Sequence, residues 1–322
     1  MPEMKISFLG TGSGSSTNRA HSAMVYDCDD GTRLLIDTSS GNSVARSASE
    51  LGMSVSGFDT VLLSHHHPDH MSGLLFVQFS RALERQDAPP LDVYLTDESL
   101  EWAQKMCIAN HLNIFEVNSE GAKNSDGREV MRWHVVEIDQ KITLGPTTTA
   151  SCFPADHISG AVGWKVESGG MSVVFSGDTR YNPELIEASR GARLLIHEAL
   201  RTDEESDYAR NRGHSTAGEA ARAAAQAGVA ELVLTHLDSR YHDNPQPLLD
   251  DAKKHYSGPT SAATDLHQIT VDNEGRERLK PSTSQNHSIL SLSGSSGDSL
   301  TGWIYSSTVI WMSKKSLHMP NG

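Results

Sequence analysis

The segment "SHHHPDH", residues 64–70, constrains this chain more than any other stretch of its sequence. It follows the run "DTVLL", which has the apolar character of a buried strand. In an extended chain alternate side chains point the same way, so His65 and His67 can bind one ion together. The proline then turns the chain, and Asp69 and His70 can reach a second ion nearby.

Imidazole and carboxylate are the ligands expected for Zn²⁺ or a related transition metal, so the segment predicts a pair of metal sites. Four ligands cannot complete two sites, and further donors are expected where other apolar strands end. His157 in "FPADHISG" is expected to complete the first site and His236 in "LVLTHLDSRY" the second, and Asp178 in "VVFSGDTR" is expected to bridge both. The predicted metal ligands are therefore His65, His67, Asp69, His70, His157, Asp178 and His236.

This ligand set predicts a hydrolase. Two ions about 3.5–4 Å apart would lower the pKa of a shared water toward ~7 and hold the attacking oxygen. Asp69 is expected to accept a hydrogen bond from that nucleophile while it ligates, and so to orient it. The predicted cofactors are two Zn²⁺ ions, with Mn²⁺ or Fe²⁺ as alternatives, and the predicted nucleophile is a metal-bridging hydroxide.

Strand-like and helix-like segments alternate from the start of the chain to about residue 272. Beyond that point the sequence becomes rich in Ser and Gly and loses sustained periodicity. The composition predicts one catalytic domain over residues 1–275 and a flexible tail over residues 276–322.

Two local patterns within the domain predict individual elements. Thr216 and Glu219 fit a capping box at the start of a helix, and Gly228 fits its C-terminal cap. A single helix is expected from His70 to about Glu84, and the polar segment 118–128 is expected to be a surface loop.

The series of metal-binding motifs resembles the metallo-β-lactamase fold superfamily, and further motifs resemble its ribonuclease Z branch. These are "SFLGTGSG" near the start, "HEAL" from His197, "GHST" from Gly213 and "LTHLDSRY" around His236. The resemblance covers residues 4–272 and implies an α/β fold, a four-layer αββα sandwich with the metals between the sheet edges. It also implies that His214 is the general acid for the leaving oxygen and that Glu198 holds and polarises its imidazole, which would make Asp69, Glu198 and His214 the catalytic residues.

Substrate choice is where the chain departs from that branch. Its tRNA-processing members carry a long inserted arm in the interval that corresponds to His157–Asp178, and here that interval holds one predicted strand hairpin. The formal net charge is −14, and the residues before Arg276 are more acidic still. Both features predict a small anionic ester as substrate and disfavour tRNA.

The expected function is therefore a dinuclear zinc phosphodiesterase of the ribonuclease Z-like type. One alternative is hydrolysis of β-lactams, lactones or aryl sulfate esters at the same metal site. Another alternative is an iron-dependent redox or dioxygenase protein on the same fold. The sequence is also compatible with a homodimer. The absence of a secretory signal and of any apolar run of roughly 18 residues predicts a cytoplasmic protein without a membrane span.

Overall fold

The structure is a computed structural model that describes residues 2–85, 87–110 and 116–272, with four two-residue strands farther along the chain. The chain forms two compact units, Met1–Ser282 and Thr283–Gly322. In the second unit the antiparallel strand pairs are Leu292–Ser293 with Ser299–Leu300 and Ile304–Tyr305 with Thr308–Val309. The rest of the predicted tail, residues 276–322, lies outside the described residues.

The strands of the first unit are numbered in chain order. They are β1 (Glu3–Gly10), β2 (Ala23–Asp27), β3 (Arg33–Ile36), β4 (Thr60–Leu62), β5 (Leu91–Leu95), β6 (Glu116–Val117), β7 (Gly121–Lys123), β8 (Glu129–Val135), β9 (Ile142–Thr143), β10 (Thr149–Pro154), β11 (Val162–Ser168), β12 (Met171–Phe175), β13 (Leu194–Glu198), β14 (Leu232–Thr235), β15 (Thr260–Ala262) and β16 (Gln268–Asp272). They form two sheets, ordered β16-β1-β2-β3-β4-β5-β8-β7-β6 and β15-β14-β13-β12-β11-β10-β9.

The α-helices of this unit lie between the strands along the chain. They are α1 (Ser43–Glu50), α2 (Pro68–Met71), α3 (Leu74–Glu84), α4 (Asp97–Ala109), α5 (Pro183–Ala188), α6 (Ser206–Asn211), α7 (Ala217–Ala227) and α8 (Gln246–Ala252). Within the described part of the chain, no helix is long and apolar enough to cross a membrane.

The apolar residues divide into three cores because alternate strand residues face opposite sides of a sheet. In β2, Met24 and Tyr26 lie in the core between the two sheets, whereas Ala23 and Val25 lie in a second core that contains residues of α1 and α3. A third core joins the outer face of the second sheet to α5, α7 and α8. Helices therefore cover the outside of both sheets, and the predicted αββα sandwich is confirmed.

The predicted single helix from His70 to Glu84 is wrong, because the chain is interrupted between α2 and α3. The carbonyl of His70 accepts hydrogen bonds from the backbone N–H of Thr38, at 2.6 Å, and from its hydroxyl, at 3.0 Å. Gly73 lies close to the loop after β3, and a Cβ atom added at Gly73 would lie 1.8 Å from the Thr38 carbonyl oxygen. The loop after β3 thus ends the first helix and requires a glycine before the second.

The other two local predictions have different outcomes. At the start of α7, Thr216 accepts from the Glu219 N–H and Glu219 accepts from the Thr216 N–H, and Gly228 caps the end at φ +64°. The capping box is therefore confirmed. The prediction that residues 118–128 form a surface loop is wrong, because the segment contains β7, which pairs with β8.

Candidate metal centre

The first sheet contributes four of the predicted ligands from one continuous segment. After β4 the backbone stays extended through His67, at φ −63° and ψ 147°, and Pro68 then begins α2. His65 and His67 therefore point the same way, and their Nε2 and Nδ1 atoms lie 3.1 Å apart. Asp69 and His70 lie on the short helix that follows.

The second sheet contributes the other three predicted ligands from the loops after β10, β12 and β14. Because β10 is antiparallel to β11 and β11 to β12, β10 runs in the direction of β12, β13 and β14. Their carboxyl ends therefore meet at one edge of the sheet. His157, Asp178 and His236 follow these ends, and His236 adopts the left-handed region at φ +55°.

The two sets of donors form two groups that share Asp178. In the first group, Nδ1 of His67 lies 3.1 Å from Nε2 of His65 and 3.0 Å from Nε2 of His157. The Oδ2 atom of Asp178 lies 3.8 and 3.9 Å from Nε2 of His65 and of His157. This group corresponds to the predicted first site.

The second group surrounds the same carboxylate oxygen. Oδ2 of Asp178 lies 3.2 Å from Nε2 of His70 and 3.3 Å from Nε2 of His236. Oδ2 of Asp69 lies 3.5 and 3.4 Å from the same two nitrogens. The structure thus brings all seven predicted ligands together, with one oxygen of Asp178 between the two groups.

These distances fit divalent ions. Ligand atoms of a tetrahedral ion with bonds of about 2.0–2.1 Å lie about 3.3 Å from one another. The donor atoms are held 3.0–3.9 Å apart around Asp178, and its other oxygen, Oδ1, is buried without a hydrogen-bond partner. The chain is therefore built to hold divalent metal, and imidazole-rich donor sets of this kind suit zinc, manganese and iron.

Three groups outside the ligand set hold the imidazoles in place. Asp37, at φ +54°, accepts from Nδ1 of His70 at 2.7 Å. The hydroxyl of Ser64 lies 3.0 Å from Nδ1 of His65, and the carbonyl of Gly213 accepts from Nδ1 of His157 at 2.8 Å. Such contacts leave the other ring nitrogen free to ligate. Sequence reasoning missed them, although the position of Asp37 directly after β3 was a signal.

His214 and Glu198 lie beside the centre, as a connected pair. Nδ1 of His214 donates to Oε1 of Glu198 at 2.9 Å, and the same oxygen accepts from the Thr179 N–H at 2.8 Å. Nδ1 of His214 is also 3.9 Å from Oδ2 of Asp178. Glu198 is fully buried at the end of β13, so the imidazole is held from the interior and its Nε2 is the ring atom left for a substrate.

The pKa values follow from burial and from these neighbours. Burial lowers the pKa of His65 well below its ordinary value, which keeps the imidazole neutral and able to ligate. Burial opposes the charge on Asp178, but His236 and His70 outweigh it and hold the carboxyl pKa well below its usual range. Burial would also lower the pKa of His214, but Glu198 outweighs it and raises that pKa to about 9.

A cleft of about 250 Å³ opens over the two donor groups. The residues that line it are Ser13, Gly14, Ser15, His67, Asp69, Asp178, Leu200, Tyr208, Arg212, His214, His236 and Asp238. Its walls come from the loop after β1, the segment after β4, the loops at the ends of the second sheet and the end of α6. The cleft therefore gives solvent access to the donor groups.

Gly213→Ala is expected to damage the first donor group selectively. Gly213 has φ +83°, and an added Cβ would lie 2.5 Å from Nδ1 of His157. The imidazole must move, so we expect metal content to fall from about two ions to about one per chain and activity to fall about 10–100-fold. Metal analysis of the purified variant measures the first effect directly.

Gly127→Ala is the matched control for that variant. Gly127 has a similar φ of +78°, but its Cβ would meet nothing within 4 Å. Gly127→Ala also places an alanine in the left-handed region, which lowers the free energy of unfolding by about 1 kcal/mol, but it does not displace any metal donor. Equal metal loss in both variants would show that strain, rather than displacement of His157, is responsible.

Comparison with known families gives consistent matches over most of the chain. A family profile described as "Beta-lactamase superfamily domain" matches residues 32–237. Ribonuclease Z of Methanosarcina mazei is 30% identical and is matched over 83% of this chain and 98% of its own length. Ribonuclease Z of Brevibacillus brevis is 27% identical, over 86% of this chain and 100% of its own length.

Solved structures with the same architecture include three with high coverage. The metallo-β-lactamase fold protein YhfI from Bacillus subtilis superposes with a TM-score of 0.68 at 25% identity, over 82% of this chain and 98% of that one. The short form of human tRNase Z gives 0.64 at 21% identity, over 83% and 99%. A diphosphatase from the PhnP family gives 0.62 at 17% identity, over 84% and 98%.

These matches overturn one prediction. The expectation of a small anionic ester as substrate, with tRNA disfavoured, is wrong, because curated relatives matched over more than 80% of this chain are named Ribonuclease Z. Every residue between His157 and Asp178 is described, and that interval contains β11, β12 and connecting turns but no long arm. The absent arm and the acidic charge do not exclude RNA, since the potential inside a cleft is set by its own walls and ions.

Proposed function

The chain belongs to the metallo-β-lactamase superfamily and to its ribonuclease Z branch, and we propose that it cleaves RNA. It is a metal-dependent hydrolase, a phosphodiesterase of the ribonuclease Z-like type. The meeting of two donor groups at Oδ2 of Asp178 supports the hydrolysis of a phosphodiester, and the relatives named Ribonuclease Z support RNA as the substrate.

The proposed metal ligands are the seven residues of the two groups, and the proposed ions are zinc. Five of the seven donors are imidazoles, which zinc prefers, and manganese and iron accept the same donors. Two divalent ions bound there would supply an activated water and neutralise the charge that develops on the phosphoryl oxygens.

Asp69 is proposed to orient the water that attacks phosphorus. Its Oδ2 lies 3.5 Å from Nε2 of His70 and 3.4 Å from Nε2 of His236. Asp69 lines the cleft, where its carboxylate can accept a hydrogen bond from the water. Asp69 thus acts as a ligand and as a hydrogen-bond acceptor for the nucleophile.

His214 is proposed as the general acid. Attack at phosphorus breaks the bond to the leaving ribose oxygen, and that oxygen needs a proton. Because Nδ1 of His214 is bonded to Glu198, Nε2 is the atom that donates the proton to the leaving group. Glu198 stabilises the protonated imidazole from behind and fixes its orientation.

Cleavage of a transfer-RNA precursor with a 3′ extension tests the proposal. We expect zinc-loaded protein to cleave it with a kcat/KM above that for bis(p-nitrophenyl) phosphate, and a chelator to remove both activities until zinc is restored. Turnover of the small diester alone would refute the RNA proposal. Turnover of β-lactams, lactones or aryl sulfates without either phosphodiester would refute it as well, and oxygen consumption by an iron-loaded form would point to redox chemistry.

A further inference from the structure

Arg212 is the one arginine or lysine among the described residues that line the cleft. Three aspartates line the same cleft: Asp69, Asp178 and Asp238. A phosphate that enters the cleft therefore meets more carboxylates than guanidinium or ammonium groups on its walls. This guanidinium is the permanent positive charge in the cleft wall at which a phosphate can bind.

Tyr208 supports Arg212 from within α6. The Cζ atom of Arg212 lies 3.7 Å from the centroid of the Tyr208 ring, and the Cζ atom of Arg201 lies 4.3 Å from the same centroid. One face of a tyrosine ring has room for one guanidinium, so the ring lies between the two arginines. The attraction of a cation for an aromatic face stabilises both contacts.

The two arginines differ in their charge partners. Arg201 is buried, and its guanidinium lies 3.0 Å from Oδ2 of Asp238 and 3.7 Å from Oε2 of Glu205. Arg212 is exposed, no described carboxylate lies within 4.0 Å of it, and its guanidinium donates to the carbonyl of Tyr208 at 3.5 Å. The charge of Arg201 is therefore neutralised within the fold, whereas that of Arg212 is available to a ligand.

The chain also fixes Arg212 relative to the centre. Arg212 follows the last residue of α6, and Gly213 then turns the backbone at φ +83° into His214. Because the Gly213 carbonyl is bonded to His157, this turn is tied to the first donor group. Arg212 and the metal donors line the same cleft, so an anion bound at Arg212 would lie beside a phosphate held over the metal centre.

We propose that Arg212, stacked on Tyr208, is a positioning residue that binds a backbone phosphate of the RNA next to the one that is cleaved. The proposal rests on RNA as the substrate. A planar guanidinium with a covered face presents its N–H groups at the edge, which suits paired hydrogen bonds to phosphate oxygens. A small diester has no second phosphate and gains nothing from this contact.

Arg212→Ala tests the proposal, with Arg128→Ala as the matched control, because Arg128 is an exposed arginine in the turn between β7 and β8. We expect Arg212→Ala to raise KM for the RNA about tenfold with little change in kcat, because a contact made equally in ground and transition states is lost. The dependence of log kcat/KM on log salt should become shallower by about 0.7, as for one lost contact to a single-stranded phosphate.

Three further measurements make the result specific. Hydrolysis of bis(p-nitrophenyl) phosphate by Arg212→Ala should stay at the parental rate, which shows that fold and metal centre are intact. Arg212→Lys keeps the positive charge, so it should show the parental salt dependence and a KM close to the parental value. Its KM should stay slightly above that value, because an ammonium group cannot make the paired hydrogen bonds of a guanidinium. Tyr208→Ala should show part of the Arg212→Ala defect, whereas Tyr208→Phe should not, because the ring alone is the platform.

The outcomes separate this proposal from the function on which it rests. Suppose that the parent cleaves RNA and that Arg212→Ala and Arg128→Ala have the same KM and the same salt dependence. The assignment of Arg212 is then wrong, and the proposed function is unaffected. If Arg212→Ala loses the small diester activity too, the residue is structural and the assignment is wrong. If the parent does not cleave RNA, the proposed substrate itself fails.

Discussion

Asp178→Ala is expected to remove nearly all activity toward RNA and toward bis(p-nitrophenyl) phosphate. Its Oδ2 lies between the two donor groups, 3.2–3.9 Å from the Nε2 atoms of four histidines. Loss of several kcal/mol of transition-state stabilisation, at about 1.4 kcal/mol per factor of ten, corresponds to a fall in kcat/KM of about 10⁴-fold. Metal analysis should show less than two ions per chain in the same sample.

Two variants control that experiment. Asp126→Ala removes an exposed carboxylate from the turn between β7 and β8 and should keep the parental rate and metal content. Asp178→Asn keeps the shape of the side chain but not its charge, and should lose activity almost as Asp178→Ala does. Parental metal content together with parental turnover in Asp178→Ala would show that the carboxylate does not join two metal sites.

His214→Ala is expected to lower kcat for RNA by about 10²–10⁴-fold while both ions stay bound. The imidazole is joined to Glu198 and is not part of the seven-donor set, so its removal leaves that set whole. The ribose leaving group needs a proton, but p-nitrophenolate departs without one. The loss should therefore be large for RNA and small for bis(p-nitrophenyl) phosphate.

This difference between leaving groups separates proton donation from a structural role. A residue that only supports the fold would lower both activities together. Glu198→Gln should reproduce the pattern at smaller amplitude, because an amide oxygen still accepts from Nδ1 but no longer stabilises the imidazolium. An equal loss on both substrates in His214→Ala would assign the proton transfer to another group.

The sandwich was implied by the resemblance to a known family, whereas the candidate metal donors could be proposed from short-range rules. His65 and His67 alternate in an extended chain, and Asp178 and His236 directly follow apolar strands whose ends meet at one edge. The capping box at Thr216 is likewise a pattern within four residues. Local chemistry and the period of two in strands therefore predict the candidate donors and this cap, and the layered fold came from the family resemblance.

What the sequence could not predict depends on contacts between distant segments. The break between α2 and α3 arises from the hydrogen bonds that the Thr38 backbone and side chain make to the carbonyl of His70, 32 residues away. The stack of Arg201, Tyr208 and Arg212 depends on the packing of a loop against α6. The substrate was misjudged because net charge is a property of the whole surface, whereas recognition depends on the walls of one cleft.

The donors come from both halves of the sandwich: four lie in the segment after β4, and three lie in loops of the second sheet. Ions that bind all seven therefore act as a cross-link between two parts of the chain that are far apart in sequence. Because such a site does not exist in the unfolded chain, its binding free energy is added to the free energy of unfolding. Removal of the metal is therefore expected to lower the midpoint of thermal unfolding as well as the turnover.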